Sequence, residues 1–151
     1  MVQIGTVSRG TLREDDLLEC FSDELRGLLR RCRDAELRKD VRNWLDAVGT
    51  ILDEDKPEMV CDGGDLLDRF APPYMYFGTL EGDASDFGFW PDIEALDEAA
   101  DEEDGVVKVS AGDAWPSGLR AAGIDFVAEV SDHGNVSLRR ACNGQTVWSC
   151  V

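Results

Sequence analysis

The sequence predicts an α+β fold in which an N-terminal helical hairpin packs on a C-terminal antiparallel sheet. Apolar residues recur at helical spacing as far as residue 73, and β-prone segments separated by turn residues follow from residue 74. One acidic helical pattern, at about residues 92–103, is inserted among the strands. Because 151 residues are close to the size of one ordinary domain, we expect a single domain over residues 1–151. It should be mainly helical over 1–73 and mainly β over 74–151.

The N-terminal region predicts two amphipathic helices. Thr11 and Glu14 have the spacing of a capping box, and the apolar residues after them keep to one helical face as far as Cys32. Asp34 is a candidate N-cap for the second helix. Charges of both signs on the outer faces are typical of ordinary solvated surface. No Gly or Pro stands between Cys32 and Leu37, so one long bent helix is the alternative to a hairpin.

The region before residue 74 predicts one further short helix. Pro57 and the pair Gly63-Gly64 interrupt the apolar periodicity. Apolar residues again follow helical spacing only at Leu66, Leu67 and Phe70. The helix is expected to end before the two prolines at 72 and 73, because the residue before a proline disfavours the helical conformation.

Two short strands and a helix are predicted next. Tyr74–Gly78 and Phe87–Trp90 are rich in aromatic residues, and a Gly- and Asp-rich turn separates them. Pro91 and Asp92 carry the start signals of a helix. The apolar face of this helix is predicted at Ile93, Leu96 and Ala100.

The C-terminal third predicts a β-meander with turns at "DHGN" and at Asn143-Gly144. Gly105–Ser110 predicts one further strand before it. The three strands of the meander are predicted at 124–131, 135–142 and 145–151. If Asn143-Gly144 is a two-residue hairpin turn, Ser137 faces Cys150. The predicted core face then consists of Ile124, Phe126, Ala128, Val130, Ala141, Trp148 and Cys150.

Cysteine usage and the absence of long apolar runs predict a cytoplasmic protein. The five cysteines form an odd set with wide gaps and no C-x-x-C pair, which fits neither a disulfide framework nor a zinc ribbon. We expect free thiols, most of them buried. No apolar run reaches the roughly 18 residues that span a membrane. The first ten residues also lack the basic region and apolar core of a signal peptide.

The formal net charge of -17 is concentrated in one third of the chain. Residues 1–52 hold 9 basic and 10 acidic side chains, and residues 105–151 hold 4 of each. Residues 53–104 hold 2 basic and 18 acidic side chains, a net charge of -16. Direct binding to nucleic acid or to an anionic membrane is disfavoured, because such binding needs a basic surface. The expected partner is a basic protein.

Catalytic and metal-binding patterns are weak. The only imidazole, His133, lies beside Asp132 in a predicted turn, where such residues serve backbone geometry. A small metal-dependent hydrolase around these two residues is kept as an alternative. An EF-hand loop started at Glu81 would place Asp86 where the sharp-turn glycine belongs. No phosphate-binding glycine motif occurs, so we expect no catalytic residue, no metal and no cofactor.

The stretch from Glu81 to Gly105 holds eleven carboxylates and admits three explanations: a solvated surface, disorder, or a surface that binds a basic partner. Disorder is disfavoured over Phe87–Ala100, because apolar residues there can be buried. Like-charged i,i+4 pairs such as Glu94 with Glu98 each cost about 0.2 to 0.5 kcal/mol in a helix, and acids at a helix C-terminus oppose its dipole. A helix face that costs stability favours a binding function over solubility alone.

The acids of the predicted helix form a regular row. From Glu94 to Glu102 the row is about 12 Å long, or about one charge per 2.4 Å, against about one per 1.7 Å of axis in duplex DNA. A basic groove that binds nucleic acid is therefore complementary in charge to this row. Trp90 is a candidate contact residue that would anchor the complex. The predicted partner-binding residues are Asp83, Asp86, Trp90, Asp92, Glu94, Asp97, Glu98, Asp101, Glu102, Glu103 and Asp104.

In charge and size the chain resembles the DNA-mimic inhibitors that phages and mobile elements use against restriction and CRISPR nucleases. The resemblance implies a non-enzymatic inhibitor or adaptor that occupies a nucleic-acid-binding surface. Separately, "GDASDFGFWPD" (Gly82–Asp92) and "SDHGNVSL" (Ser131–Leu138) are similar to segments of small uncharacterised bacterial and phage proteins, which implies a shared fold and no activity. The alternative function is an interaction protein that docks through its sheet or its helices, with the acids serving solubility.

Overall fold

The computed structural model describes residues 2–150, which divide after Trp90 into two compact units. The α+β class is confirmed, because N-terminal helices are followed by a sheet in which antiparallel pairs predominate. The division is not visible in the sequence, which predicts a single domain whose character changes near residue 74. None of the described helices combines the length and the apolar character needed to cross a bilayer.

The first unit, as far as it is described, combines three α-helices with a three-stranded sheet. Its elements are β1 (Gly5–Arg9), α1 (Glu14–Leu29), α2 (Ala35–Val48), α3 (Lys56–Asp68), β2 (Met75–Leu80) and β3 (Asp83–Pro91). A 3₁₀ turn over Asp53–Asp55 precedes α3. The strand order is β1-β3-β2, and β1 pairs antiparallel with β3. β1 is an element that the sequence does not predict.

The ends of α1 and α2 show that the hairpin prediction holds. The Asp34 carboxylate accepts the backbone N–H groups of Glu36 and Leu37, each at 2.9 Å, as expected of an N-cap. The predicted capping box at Thr11 is wrong, because the N-cap of α1 is Arg13. The Thr11 hydroxyl instead donates to the Asp16 carboxylate at 2.7 Å.

The core of the first unit lies between the helices and their own sheet. It combines the apolar faces of α1, α2 and α3 with residues of β2 and β3. Phe21 of α1 is at its centre, with edge-on ring contacts to Phe77 at 5.2 Å and Phe87 at 5.7 Å. The sequence predicts that the helices pack on the C-terminal meander. In this core the helices pack on β2 and β3 instead.

α3 is longer than the sequence predicts, because its two glycines lie inside the helix. Pro57 occupies the first turn, where its missing N–H is tolerated. Gly63 is buried against the ring of Trp44, whose Nε1 donates to the Met59 carbonyl at 3.0 Å. The absence of a side chain at Gly63 therefore lets α3 approach α2 closely.

Single alanine substitutions at Gly63 and Gly64 are expected to change stability in opposite directions. Alanine is favoured over glycine in a helix interior by about 1 kcal/mol. A Cβ at Gly64 meets no atom within 4 Å, so Gly64→Ala should stabilise the protein by about 0.5 to 1 kcal/mol. A Cβ at Gly63 meets the ring of Trp44, so Gly63→Ala should destabilise it by about 1 to 3 kcal/mol. Urea denaturation measures both changes, and equal stability of the two variants would contradict this packing.

The second unit, within its described part, places one helix with a four-stranded sheet. Its elements are α4 (Ile93–Asp101), β4 (Val106–Ser110), β5 (Phe126–Val130), β6 (Val136–Arg140) and β7 (Thr146–Ser149). The predicted meander is present as β5, β6 and β7, which pair antiparallel. β4 adds to it in parallel with β5, so the strand order is β4-β5-β6-β7.

The predicted register of the last hairpin is wrong. Arg140 and Gln145 close a four-residue loop, since the Arg140 N–H donates to the Gln145 carbonyl at 2.9 Å. An irregularity follows, and Ser137 lies opposite Ser149 rather than Cys150. Cys150 is accordingly exposed, so the predicted core face is only partly correct. The buried residues of this sheet are Val106, Phe126, Val127, Ala128 and Leu138.

All five cysteines are free, as the sequence predicts, but the expectation that most are buried is wrong. Cys20 and Cys32 are half-buried, whereas Cys61, Cys142 and Cys150 are exposed. The last two lie in the β6–β7 loop and just after β7, where no element covers them. The position of each thiol in the fold, rather than the general burial preference of cysteine, decides its exposure.

Candidate partner-binding surface on an acidic helix

α4 is fixed at its start by a side-chain cap and along one side by burial. The Asp92 carboxylate accepts the Ala95 N–H at 3.0 Å, so the predicted helix start is confirmed. Leu96 and Ala99 are buried, whereas Ile93, predicted on the buried face, is 37% exposed. Ala99 instead packs in the core beside Leu96. The half-buried Asp92 side chain therefore serves as the N-cap of α4.

The opposite face of α4 carries one sign of charge. Its acids, all exposed, are Glu94, Asp97, Glu98, Asp101 and Glu102, which we call the acidic stripe. At 3.6 residues per turn they fall on one side of the helix, away from Leu96 and Ala99. Residues 91–151 hold 12 acidic and 4 basic side chains, and eight of these acids lie between Asp92 and Asp104. The stripe is thus the main concentration of charge in the second unit.

Lys108 of β4 also belongs to this surface, which the sequence does not predict. Its Nζ lies 2.9 Å from Oδ1 of Asp97, and this hydrogen bond raises the pKa of Lys108. Both side chains are substantially exposed, so the pair contributes little to stability. The pairing depends on β4 returning beside α4, which the sequence alone does not show. Asp97 is consequently less available to a partner than the other acids of the stripe.

The C-terminal end of α4 is closed by a Schellman motif that has glutamate at the usual glycine position. The Asp104 N–H donates to the Ala99 carbonyl at 2.8 Å, and the Glu103 N–H donates to the Ala100 carbonyl at 3.4 Å. Glu103 has φ of 56°, a left-handed conformation that costs a non-glycine residue about 1 to 2 kcal/mol. Glu103 and Asp104 are both exposed and extend the stripe beyond the helix.

Replacing Glu103 by glycine is expected to stabilise the protein by about 1 kcal/mol, because glycine adopts positive φ without strain. Glu103→Ala serves as the control, since it removes the charge but keeps the strained backbone. The alanine variant should change stability by only a few tenths of a kcal/mol through the helix dipole. Thermal denaturation compares the two variants. An alanine variant as stable as the glycine variant would assign the effect to charge and contradict the backbone argument.

Three predicted partner-binding residues belong to the first unit, and two of them are buried. Asp86 is 2% exposed and lies 3.5 Å from Nε of Arg9, which β1 brings beside β3. Trp90 is 6% exposed, and its Nε1 donates to the Gly78 carbonyl at 3.1 Å. The prediction that these two residues contact a partner is wrong, because both side chains are buried.

Asp83 is half-buried at the start of β3 and is held by a local hydrogen-bonded turn. Its carboxylate accepts the Ser85 hydroxyl at 2.7 Å and the Ser85 N–H at 3.0 Å, and these bonds lower the pKa of Asp83. The carboxylate therefore serves the conformation of the β2–β3 hairpin. Of the predicted set, the exposed acids are those of the acidic stripe, together with Glu103 and Asp104, which follow α4.

The catalytic alternative centres on the turn between β5 and β6. His133 and Asp132 are both exposed there, and Gly134 supplies the positive φ of 81° that the turn requires. Within residues 2–150, no group of three or more His, Cys, Asp or Glu side chains is placed to hold a metal ion. Among the described residues, the His133 side chain forms no hydrogen bond and no ion pair.

No family model matches the chain, and comparisons with curated proteins and with solved structures give no match. The features that make α4 a candidate partner-binding surface are its charge, its exposure and its geometry. These properties are those of an ordered helix with a face of one sign, fixed at both ends by hydrogen bonds.

Proposed function

We propose that this protein is a non-enzymatic inhibitor or adaptor that binds a basic nucleic-acid-binding surface of a partner protein, in the manner of a DNA mimic. The observation that carries the proposal is the acidic stripe. Its charges stand on a helix whose position is fixed by the Asp92 cap and by buried Leu96. A fixed row of charges can match a fixed row of cations, and electrostatic complementarity then gives specificity and rapid association.

The spacing of the charges supports a nucleic-acid-binding surface as the target. The stripe rises about 12 Å from Glu94 to Glu102, and its five acids carry about one charge per 2.4 Å. Duplex DNA carries about one charge per 1.7 Å of axis. Glu103 and Asp104 lengthen the row, while Lys108 offsets part of the charge of Asp97. The linear charge density of the stripe is therefore comparable to that of the phosphates that a basic groove binds.

The position of the acids also supports binding rather than solubility alone. Glu94 with Glu98, Asp97 with Asp101, and Glu98 with Glu102 are repulsive i,i+4 pairs, each costing about 0.2 to 0.5 kcal/mol. The acids nearest the C-terminal end of α4 also oppose the helix dipole. Solubility would be served equally by acids at exposed positions where they cost nothing. A selected function at this face explains why the acids are concentrated there.

Affinity capture tests the proposal with a matched variant. The bait is the wild-type chain or a chain with Glu94→Gln, Glu98→Gln and Glu102→Gln, each immobilised and exposed to a lysate of the native host. We expect the wild type to retain a basic nucleic-acid-binding protein at about 0.1 M salt and to lose it at about 1 M, where the Debye length falls to about 3 Å. Excess duplex DNA should release the same protein. Equal retention by the Gln variant would contradict the proposal.

A further inference from the structure

The loop between β6 and β7 contains the one Asn-Gly pair of the chain, Asn143-Gly144. The sequence predicts a two-residue hairpin turn at this pair, whereas the structure places the pair inside a four-residue loop. Asn143 is exposed, and half-buried Gly144 has a φ of 69°, which glycine adopts without strain. An asparagine before glycine is open to attack on its side-chain amide, because glycine has no Cβ to hinder its own backbone nitrogen.

The Asn143 side chain is folded back over the peptide bond that follows it. Its Oδ1 accepts the backbone N–H of Gln145 at 3.0 Å, which is the hydrogen bond of an Asx turn. The Cγ atom therefore lies on the side of the Gly144 nitrogen. The same N–H stabilises the negative charge that develops on Oδ1 when a nucleophile adds to Cγ. The Nδ2 group forms no hydrogen bond to a described residue, so nothing holds it against leaving as ammonia.

One backbone hydrogen bond opposes such an attack. The Gly144 N–H donates to the Arg140 carbonyl at 2.8 Å, and the nitrogen must lose this proton before it attacks. β7 is a four-residue strand at the edge of the sheet. Loops and short edge strands open with the lowest free energies in a folded protein, so local fluctuations release the bond. The hydrogen bond therefore slows the reaction relative to a free peptide and does not block it.

We propose that Asn143 is a site of spontaneous deamidation, with water as the co-reactant. The Gly144 nitrogen loses its proton to solvent and forms a bond to Cγ of Asn143, while Nδ2 takes up a proton and leaves as ammonia. The product is a cyclic imide that joins the two residues. Water then adds to one of the two imide carbonyls and breaks its bond to the Gly144 nitrogen. Addition at Cγ gives aspartate, and addition at the backbone carbonyl gives isoaspartate. No residue of α4 takes part.

The two products differ in their effect on the last hairpin. Each changes the formal net charge by one, from -17 to -18. Aspartate keeps an oxygen that accepts the Gln145 N–H, and a charged acceptor strengthens this bond. Isoaspartate carries the chain through its side chain, which inserts an extra backbone atom into the loop that Arg140 and Gln145 close. Because the loop sets the register of the strands, isoaspartate loosens the pairing of β7 with β6.

The other two asparagines of the chain are internal controls. Asn43 lies inside α2, where the N–H of Trp44 belongs to the helical hydrogen-bond ladder. Asn135 precedes Val136, the first residue of β6, whose β-branched side chain hinders attack by its backbone nitrogen. All three asparagines are exposed and meet the same solvent. A difference in rate among them therefore reports the local sequence and geometry of each.

Peptide mapping by mass spectrometry tests the site in the intact protein, incubated in a mildly alkaline buffer at physiological temperature. We expect Asn143 to convert at least about 10-fold faster than Asn43 and Asn135. The rate should rise with pH, because the attacking nitrogen must lose a proton. A synthetic peptide of residues 140–146 sets the time scale. Equal rates at the three asparagines, or an unchanged Asn143 after an incubation many times longer than the peptide needs, would overturn the proposal.

Two substitutions identify the products. Asn143→Ser removes the amide, so the incubated variant should form none of the more acidic species that ion-exchange chromatography separates from the wild type. Asn143→Asp is the standard for the aspartate product and should elute with one of those species. The other species should exchange its β7 amide hydrogens faster than Asn143→Asp does, because its loop is longer. Acidic species that form equally in Asn143→Ser would overturn the assignment to Asn143.

Discussion

Phe21→Ala is expected to lower the free energy of unfolding by about 3 to 5 kcal/mol, the usual range for truncation of a buried phenylalanine. Phe21 is 1% exposed, and its ring contacts Phe77 and Phe87 edge-on, so the substitution removes contacts with both β2 and β3. The cavity would lie where α1 meets the sheet, and rigid strands restrict how far it can collapse. Such a loss is a large fraction of the stability of an ordinary domain, about 5 to 15 kcal/mol.

Urea denaturation of the wild type, Phe21→Ala and a control variant measures this effect. Leu52→Ala is the control, because Leu52 is a large apolar residue that is 62% exposed. Its substitution should change the free energy of unfolding by less than about 0.5 kcal/mol. A loss below about 1 kcal/mol for Phe21→Ala would show that α1 does not pack on β2 and β3 as described.

Reversal of Glu94, Glu98 and Glu102 to lysine is expected to weaken binding of the basic partner by at least about 100-fold, or about 2.7 kcal/mol. Each reversal removes an attraction and adds a repulsion at the same site, and like charges across an interface cost several kcal/mol. Asp97 is left unchanged, because a lysine there would face Lys108 and disturb the packing of α4 on β4. The three chosen side chains are exposed, so the fold should be retained.

A second triple variant tests whether the loss of affinity depends on the position of the reversed charges or only on the net charge of the protein. Glu19, Asp46 and Asp132 are exposed and lie outside the stripe, and among the described residues none of their side chains forms a hydrogen bond or an ion pair. Their reversal to lysine gives the same net charge of -11 as reversal of the stripe, starting from -17. Titration calorimetry with the captured partner should show affinity within a few-fold of wild type for this control. Equal losses of affinity in the two variants would mean that binding depends only on the net charge of the protein.

The elements that the sequence predicts well are those specified by local residues. Asp34 and Asp92 cap the helices that follow them, because a cap needs only the next few N–H groups. The strands of the meander are also correct, since their alternation and turns lie within a short stretch of chain. The concentration of acids on α4 likewise follows from helical periodicity alone.

The features that the sequence does not predict depend on residues far apart in the chain. β1 forms because β3, about eighty residues later, supplies its hydrogen-bonding partner, and that pairing also brings Arg9 beside Asp86. α3 continues through Gly63 because the Trp44 ring occupies the space of a side chain. The ion pair between Lys108 and Asp97 and the burial of Trp90 arise in the same way, from tertiary contacts that local pattern does not encode.

Competition between this protein and duplex DNA for the captured partner tests the central claim most directly. Fluorescence anisotropy of a labelled duplex, titrated with partner at increasing concentrations of this protein, gives the apparent Kd for DNA. If the acidic stripe occupies the nucleic-acid-binding surface, that Kd should rise in proportion to the concentration of this protein, with no ternary complex. The variant with Glu94, Glu98 and Glu102 reversed to lysine should leave the apparent Kd for DNA unchanged. A ternary complex in which the partner binds DNA with undiminished affinity would contradict the account.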